Sequence, residues 1–248
     1  MANKIFLAAV VAILSLAACK KETDDFTMPE LGDYYPLQVG KYITYQCDSL
    51  RYGNSGSLTG TTYTYQVKYE VDAAVTDNNG RPAYRIYRYI RNSNAGAWVK
   101  DNTYLALNDG ASVELVENNF RYIKLKRPFT GGFSWKGNAY INTSSAYSDF
   151  RYLDNWDYTY DSVNAPLTLG ALTVDNTIKV AQRDEVIGNP GDPNSYSEIN
   201  YGAEYYAKGI GLVYRRLYHS EYQPPTDGGT GKYASGSFGV TFTMIDHN

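Results

Sequence analysis

Hydrophobic and polar residues alternate along most of the chain. The clearest case is TYTYQVKYEVD, residues 62–72, in which every second residue is apolar or aromatic. Successive side chains of a β-strand point to opposite faces, so this period predicts a strand with one face on a core and the other in water. The residues of the apolar face are Tyr63, Tyr65, Val67, Tyr69 and Val71.

Turn-forming residues separate this run from its neighbours. Examples are GNSGSLTG at 53–60, GNPGDPNS at 188–195 and QPPTDGGTG at 223–231. No segment of the mature chain has a clean helical period over more than two turns, so the pattern predicts an all-β, antiparallel domain with few or no helices. The predicted strand-like runs are 41–51, 62–72, 82–91, 96–107, 112–127, 139–160, 171–187, 196–207, 210–222 and 232–245.

Two glycines interrupt the alternation near the end of the chain. Gly209 and Gly211 lie two residues apart within the segment AKGIGLVY. Because glycine adopts positive φ at no steric cost, we predict a tight hairpin or a strong bulge at residues 208–211.

The beginning of the chain has a different pattern. After Lys4, residues 5–18 form an almost purely apolar run of 14 residues. As a helix this run would extend about 21 Å, whereas a membrane span needs about 20 residues. We therefore expect the hydrophobic region of a signal peptide rather than a transmembrane helix.

Small residues lead from this run into a cysteine. The motif Leu16-Ala17-Ala18-Cys19 resembles the lipobox of bacterial lipoproteins. That resemblance implies cleavage before Cys19 and acylation of Cys19 by thioether-linked diacylglycerol and an amide-linked chain such as palmitate. Two or more chains anchor a protein stably, whereas a single chain does so only marginally. The alternative is an ordinary secretory signal with a cysteine at this place by chance.

The patterns divide the chain into three parts. We predict a signal peptide at 1–18, a flexible acidic tether at 19–33 and a single antiparallel β domain at 34–248. The tether is polar and densely charged, which disfavours packed structure. Its acidic residues weakly resemble signals that direct Bacteroidota lipoproteins to the cell surface. We therefore expect the outer membrane, with the periplasmic and the surface-exposed face both open.

Charge and composition exclude some classes of partner. The formal net charge is −3, and lysine and arginine form no extended patch, so nucleic acid is not an expected partner. Of the two cysteines, Cys47 lies in a strand-like run and has no disulfide partner if Cys19 is acylated. We predict that it is a small buried residue. Tyrosine is abundant, at 26 of 248 residues, and either builds the sheet or lines a ligand surface.

Three segments carry a resemblance to a known group of proteins. They are YYPLQVGKYITYQCDS at 34–49, APLTLGALTVDNTIKV at 165–180 and EYYAKGIGLVYRR at 204–216. Together they resemble uncharacterised Bacteroidota outer-membrane lipoproteins of a TapB-like group, which are more distantly similar to LolA. The resemblance implies a large curved antiparallel sheet or a partly open barrel, around helices or an apolar groove. The chain differs from LolA because it has no obvious amphipathic helices.

The sequence contains few residues that suggest catalysis. His219 and His247 are the two histidines, and neither a His-x-x-x-His pair nor a Gly-x-Ser-x-Gly motif is present. We therefore expect no metal site, no cofactor and no enzymatic activity. A hydrolase would have to use Asp154, Asp157 or Asp161 as its carboxylates.

The best candidate for a polar site is LDNWDYTYDS, residues 153–162. Its aspartates alternate with aromatic rings, a combination that could bind a sugar or a calcium ion. The alternative is an exposed strand edge, where charges discourage aggregation. The candidate ligand-binding residues are Trp135, Trp156, Tyr158, Asp154 and Asp157.

Three functions are open at this point. The leading hypothesis is a lipoprotein that is anchored to the membrane through Cys19 and presents a non-enzymatic β domain for binding or envelope structure, with an envelope protein as a possible partner. The second is a glycan-binding surface lipoprotein. The third is a carrier of lipid or another apolar ligand in a LolA-like groove.

Overall fold

The structure is a computed structural model, and it describes residues 29–53, 56–145, 148–170, 172–226 and 228–248. The predicted signal peptide, Cys19 and most of the predicted tether lie outside the described residues. No helix among the described residues is long and apolar enough to cross a membrane.

The described chain is almost entirely β-structure. A single helical turn, α1 (Leu31–Tyr34), precedes the strands, and a 3₁₀ turn occupies Arg151–Leu153. The strands are β1 (Tyr42–Arg51), β2 (Thr61–Thr76), β3 (Pro82–Arg91), β4 (Val99–Asn108), β5 (Ser112–Glu117), β6 (Phe120–Lys126), β7 (Ser134–Trp135), β8 (Tyr158–Leu169), β9 (Leu172–Gly188), β10 (Ser197–Ala207), β11 (Gly211–Gln223), β12 (Lys232–Tyr233) and β13 (Phe238–His247).

All strands belong to one sheet whose spatial order is β6-β5-β4-β3-β2-β1-β13-β11-β10-β9-β8-β7, and β12 pairs separately with β11. The pairs of neighbours are antiparallel. Most neighbours in space are also neighbours in sequence, as expected for hairpins joined by short turns. The exception is β13, which lies between β1 and β11.

The two ends of the sheet approach each other and nearly close it into a barrel. The backbone N–H of Ile123 on β6 donates to the carbonyl of Gly137 at 2.7 Å, and the indole Nε1 of Trp135 on β7 donates to the carbonyl of Ile123 at 2.9 Å. The Tyr160 hydroxyl on β8 donates to the carbonyl of Lys126 at 2.7 Å and accepts from the Lys126 N–H at 2.9 Å. The prediction of an all-β, partly open barrel is therefore confirmed.

The interior contains three groups of buried apolar residues. In β2, Val67 and Val71 are buried, whereas Tyr63 near the start of the strand is 54 % exposed. The predicted apolar face therefore meets the core only in the central part of the strand. Gln66, which the alternation places on the face in water, is only 5 % exposed. Cys47 on β1 is fully buried, as predicted, and burial raises the pKa of its thiol.

The helical turn α1 packs against one end of the barrel. Leu31 and Tyr34 are fully buried, and the Tyr34 hydroxyl donates to Asn164 Oδ1 at 2.7 Å. The backbone N–H of Gly209 donates to the carbonyl of Asp33 at 2.6 Å. The packed domain therefore includes residues from Leu31 onward, three of which the sequence assigns to the flexible tether.

Three of the predicted strand-like runs are not single strands. Residues 112–127 form the hairpin β5–β6, because Asn118 and Asn119 both adopt positive φ and reverse the chain. Most of residues 139–157 form turns that contribute Ile141, Leu153 and Trp156 to the core. Residues 232–245 divide into β12 and β13.

The predicted hairpin at residues 208–211 is present. Gly209 and Gly211 have φ of +78° and +112°, and they connect β10 to β11. A bulge also occurs in β11, where Val213 is the extra residue opposite Tyr205 and Tyr206 of β10. The turn therefore places Ile210 and Gly211 against the end of the barrel that α1 covers.

Candidate functional site

The barrel encloses a cavity of about 80 Å³ beside the β10–β11 turn. Most of its partly exposed lining residues are in segments 36–43 and 210–212, and we place the opening there, at the end of the barrel near α1. Aromatic and aliphatic side chains form most of the wall, which is the usual character of a small-molecule site. The principal wall residues are Tyr35, Tyr45, Tyr69, Ile86, Leu212 and Phe242.

Five charged side chains line this cavity. Lys41 Nζ donates to the carbonyls of Gly209 and Asn248 at 3.0 and 2.8 Å. The other four, which we call the interior cluster, are Glu117, Lys124, Glu204 and Arg215. Lys124 Nζ lies 2.5 Å from Glu204 Oε1, and the two side chains are only 4 % and 0 % exposed. Arg215 lies further toward solvent, 3.4 Å from Glu117 Oε2 and 3.5 Å from Glu204 Oε1. Arg215 and Glu117 are 18 % and 17 % exposed.

Charge balance determines the protonation of this cluster. Burial by itself raises the pKa of Glu204, but Lys124 and Arg215 outweigh burial and hold the pKa below its ordinary value. Burial lowers the pKa of Lys124, and Glu204 opposes this only in part. For Arg215, the nearby Glu117 and Glu204 overcome the effect of burial and raise the pKa well above its usual value. Glu204 is therefore an ionised carboxylate facing the Arg215 guanidinium at neutral pH.

Tyrosine hydroxyls complete the polar part of the cavity. The Tyr206 hydroxyl donates to Glu204 Oε2 at 2.6 Å, and the Tyr45 hydroxyl donates to the carbonyl of Leu212 at 2.7 Å. The hydroxyl of Tyr35 makes no hydrogen bond with any described residue, although its ring packs 6.1 Å from that of Tyr206. Burial raises the pKa of Tyr35, so this hydroxyl retains its proton and can donate.

A second group of four charges, the peripheral cluster, lies where the β2–β3 turn meets β5 and β6: Asp77, Arg81, Glu114 and Arg121. Arg81 Nε donates to Asp77 Oδ2 at 3.0 Å, and its Nη2 donates to Glu114 Oε2 at 2.9 Å. Arg121 also donates to Glu114. Hydrogen bonds from Arg81, the backbone N–H first, lower the pKa of Asp77. None of these four residues lines the cavity beside the β10–β11 turn.

A polar cleft of about 820 Å³ is formed by the 3₁₀ turn together with β9, β10 and β11. Asn200 is at its centre and donates to Glu198 Oε1 at 2.7 Å and Glu185 Oε2 at 3.3 Å. His219 Nδ1 lies 2.8 Å from Asn200 Oδ1, and the Tyr152 ring stacks on the imidazole at 4.8 Å between centroids. Asp154 and Tyr196 line the same cleft.

The five ligand-binding residues predicted from the sequence lie in two different environments. Trp135, Trp156 and Tyr158 are at most 5 % exposed and belong to the hydrophobic core. Asp154 and Asp157 are exposed, and Asp157 pairs with Lys136 at 2.9 Å. A ligand could therefore reach the carboxylates without touching the rings. The predicted binding role of the five residues stays a prediction.

The third aspartate of the predicted polar segment is also at the surface. Asp161 on β8 pairs with Lys179 on the neighbouring strand β9 at 2.5 Å. Among the described residues, no group of three or more His, Cys, Asp and Glu side chains could hold a metal ion.

The interior cluster is absent from the sequence-based candidates. On β10, alternation places Ala203 and Tyr205 on one face and Glu204 on the other. Glu204 is fully buried, as are Asn200 and Tyr206 on its own face. A signal was present in the sequence, since a charged residue within a run rich in alanine and tyrosine is unusual in a packed strand.

One solved structure is similar to this chain over most of its length. No family model matches the chain, and no curated protein matches it. A solved structure from Bacteroides fragilis, described as "a putative exported protein with YmcC-like fold", is similar over 85 % of this chain and 98 % of that one, with 13 % identity and a TM-score of 0.39. This likeness assigns no function. It also does not bear on the TapB-like or LolA-like parts of the resemblance.

Proposed function

We propose that this chain is a non-enzymatic bacterial lipoprotein of the outer membrane that binds a small, largely apolar molecule inside its barrel. The observation that supports this most directly is the cavity with aromatic walls that ends on the interior cluster. The proposal joins the leading hypothesis from the sequence, an anchored binding domain, with the third, a carrier of an apolar ligand.

The energetics of the interior cluster favour a binding role over a purely structural one. Removing charges from water costs several kcal/mol per ion, and well-packed apolar side chains often replace a buried ion pair without loss of stability. A barrel that only needed to be stable could fill its centre with leucine and valine. Charged groups that are buried around a concave space are more typical of functional sites.

The anchor rests on the sequence, since Cys19 lies outside the described residues. Its lipobox follows an apolar run of the length of a signal peptide. Replacing Cys19 by alanine removes the acylated sulfur and should release the protein from the membrane into the soluble fraction on cell fractionation. If the C19A protein sediments with membranes as the wild type does, another feature anchors the chain.

Binding in the cavity can be tested by thermal unfolding with 1-octanol, in full-length protein carrying Cys19→Ala so that no acyl chain competes for the site. We expect the unfolding midpoint to rise with octanol concentration, because a ligand that binds only the folded state stabilises it. Leu37 lines the cavity, and Leu37→Trp should fill the cavity and remove the effect. Leu58 is 55 % exposed, so Leu58→Trp is the matched control and should retain it. An octanol response that survives Leu37→Trp unchanged would place binding elsewhere.

A second candidate function is glycan binding, and the polar cleft around Asn200 favours it. Asparagine, glutamate and histidine groups there surround a large open volume beside the Tyr152 and Tyr196 rings. Such planar hydrogen-bonding groups suit the hydroxyls of a sugar. Calorimetry with a panel of polysaccharides tests it: we expect heat that Asn200→Ala abolishes, and no heat with any of them would count against it.

A further inference from the structure

The guanidinium of Arg215 has donors that the protein leaves unused. Arginine presents five N–H donors. Within the described chain, one of these makes a hydrogen bond, from Nη1 to Glu117 Oε2 at a long 3.4 Å. Arg215 Nε is buried and makes no hydrogen bond, although Glu204 Oε1 lies 3.5 Å from it. Arg215 Nη2 donates to no described residue, so an acceptor in the cavity could bind the unused N–H groups of the guanidinium.

Tyr35 adds a second unused donor to the same cavity. Its hydroxyl has no hydrogen-bond partner among the described residues, whereas the hydroxyls of Tyr45 and Tyr206 are both engaged. Tyr35 and Arg215 both line the cavity, and Glu117 and Glu204 influence the titration of each side chain. Arg215 and Tyr35 therefore both offer unused donors to the same cavity.

The charges of the interior cluster limit what the acceptor can be. Around Arg215, two cations and two carboxylates balance, and Glu117 and Glu204 are both within 3.5 Å of its guanidinium. The fifth charge of the cavity, Lys41, is bound to the carbonyls of Gly209 and Asn248 and is no part of this cluster. An anionic ligand would add an uncompensated negative charge beside these carboxylates, and a cationic ligand would meet the guanidinium. A neutral group accepts the available hydrogen bonds at no such cost.

Resting on the proposed function, we propose that the ligand is a neutral amphiphile whose head group accepts hydrogen bonds, as an amide or ketone carbonyl does. Its head contacts the Arg215 guanidinium and the Tyr35 hydroxyl. Its hydrocarbon part packs along Tyr45, Tyr69 and Ile86 toward the open end of the cavity.

Calorimetric titration of the full-length Cys19→Ala protein with three probes tests this proposal. Octanamide, octanoate and octylammonium share a chain length and differ in the head group. We expect octanamide to bind about tenfold more tightly than either charged probe. Tyr35→Phe keeps the ring and removes the donor, so it should weaken octanamide about fivefold, the effect of one hydrogen bond.

Two further variants test whether octanamide binds to the Tyr35 hydroxyl and the Arg215 guanidinium in particular. Tyr42→Phe is the matched control, because Tyr42 lines the same cavity but its hydroxyl donates to Asp246 Oδ2 at 3.1 Å. This variant should bind octanamide as the wild type does. Arg215→Lys keeps the charge and loses the planar fork, and should weaken octanamide at least as much as Tyr35→Phe.

The possible outcomes separate this inference from the function on which it rests. Equal affinity for the three probes, or an unchanged octanamide affinity in Tyr35→Phe, would overturn the neutral head group while cavity binding stands. An equal loss in Tyr42→Phe would also overturn it. If neither the three probes nor 1-octanol bind, the cavity is not a ligand site and the proposed function fails as well.

Discussion

The interior and peripheral clusters each contain two acidic and two basic side chains, yet they use them differently. In the peripheral cluster, Arg81 bonds both Asp77 and Glu114, and its 35 % exposed side chain also reaches water. In the interior cluster, Lys124 and Glu204 are fully enclosed, and the Nε of Arg215 has no hydrogen-bond partner. The peripheral charges join a turn to the sheet, and the interior charges surround a space.

The contrast shows that the surroundings of a charge cluster, and not its composition, indicate its role. A cluster whose cations reach solvent stabilises local structure modestly. A cluster enclosed by apolar walls, with donors left over, depends on an additional partner for its full set of hydrogen bonds. Substitutions in the two clusters should therefore have different consequences.

The largest effect should follow from Glu204→Gln. This change leaves Lys124 without its carboxylate in an environment where its side chain is 4 % exposed. Breaking a buried ion pair by removing one partner costs about 3–5 kcal/mol, so we expect a loss of that size in the free energy of unfolding. Urea unfolding followed by circular dichroism measures it.

The double variant Lys124→Met with Glu204→Gln is the control for this prediction. It removes both charges and keeps an acceptor for the Tyr206 hydroxyl, so we expect at least half of the lost stability to return. A double variant as unstable as the single one would mean that lost packing, rather than an unpaired charge, causes the effect.

A smaller effect should follow from Glu114→Gln in the peripheral cluster. Its partners Arg81 and Arg121 are 35 % and 24 % exposed and can be hydrated when the carboxylate is lost. We expect a loss of about 1–2 kcal/mol in the free energy of unfolding, as for hydrogen bonds between charged groups. The two clusters would be energetically alike, contrary to our comparison, if this loss equalled that of Glu204→Gln.

The smallest expected effect on stability comes from His219, a largely buried histidine outside both clusters. Burial lowers the pKa of His219, although Glu198 at 4.0 Å and Glu221 act in the opposite direction. Below pH 6.5 the unfolded chain therefore binds a proton that the folded chain excludes, and stability should fall as pH decreases toward the folded-state pKa.

His219→Gln should reduce the loss of stability between pH 7 and pH 5, measured by urea unfolding at each pH. His247 is exposed near the end of β13, and His247→Gln serves as the control that should follow the wild-type profile. Identical slopes in the wild type and His219→Gln would show that other groups cause the acid sensitivity.

The sequence predicted the class of fold well because alternation and turn chemistry are local signals. β2, β9, β10 and β11 lie close to the predicted runs, and the glycine turn at 208–211 is present. The predicted strand boundaries were wrong where apolar residues belong to turns. Phe150 and Trp156 suggested a strand, but they pack into the core from a segment rich in Asn, Ser and Asp.

The interior cluster could not be predicted in the same way, since its members come from strands far apart in the chain. Lys124 and Glu204 are 80 residues apart and meet only because the sheet curls. Glu204 follows the period of two along β10, since Asn200, Gly202 and Tyr206 on the same face are also buried. Closure is a property of the whole sheet, and it decides which face of a strand lies inward.

The position of α1 places the cavity opening beside the start of the packed domain. Tyr35, Pro36 and Leu37 line the cavity directly after the helical turn, so the segment that leads back toward Cys19 begins beside the opening. Twelve residue steps separate Cys19 from Leu31 and span at most about 40 Å when fully extended. An acylated Cys19 would therefore limit how far the opening can move from the bilayer surface. An amphiphile leaving the membrane would then reach the barrel without diffusing into the bulk solution.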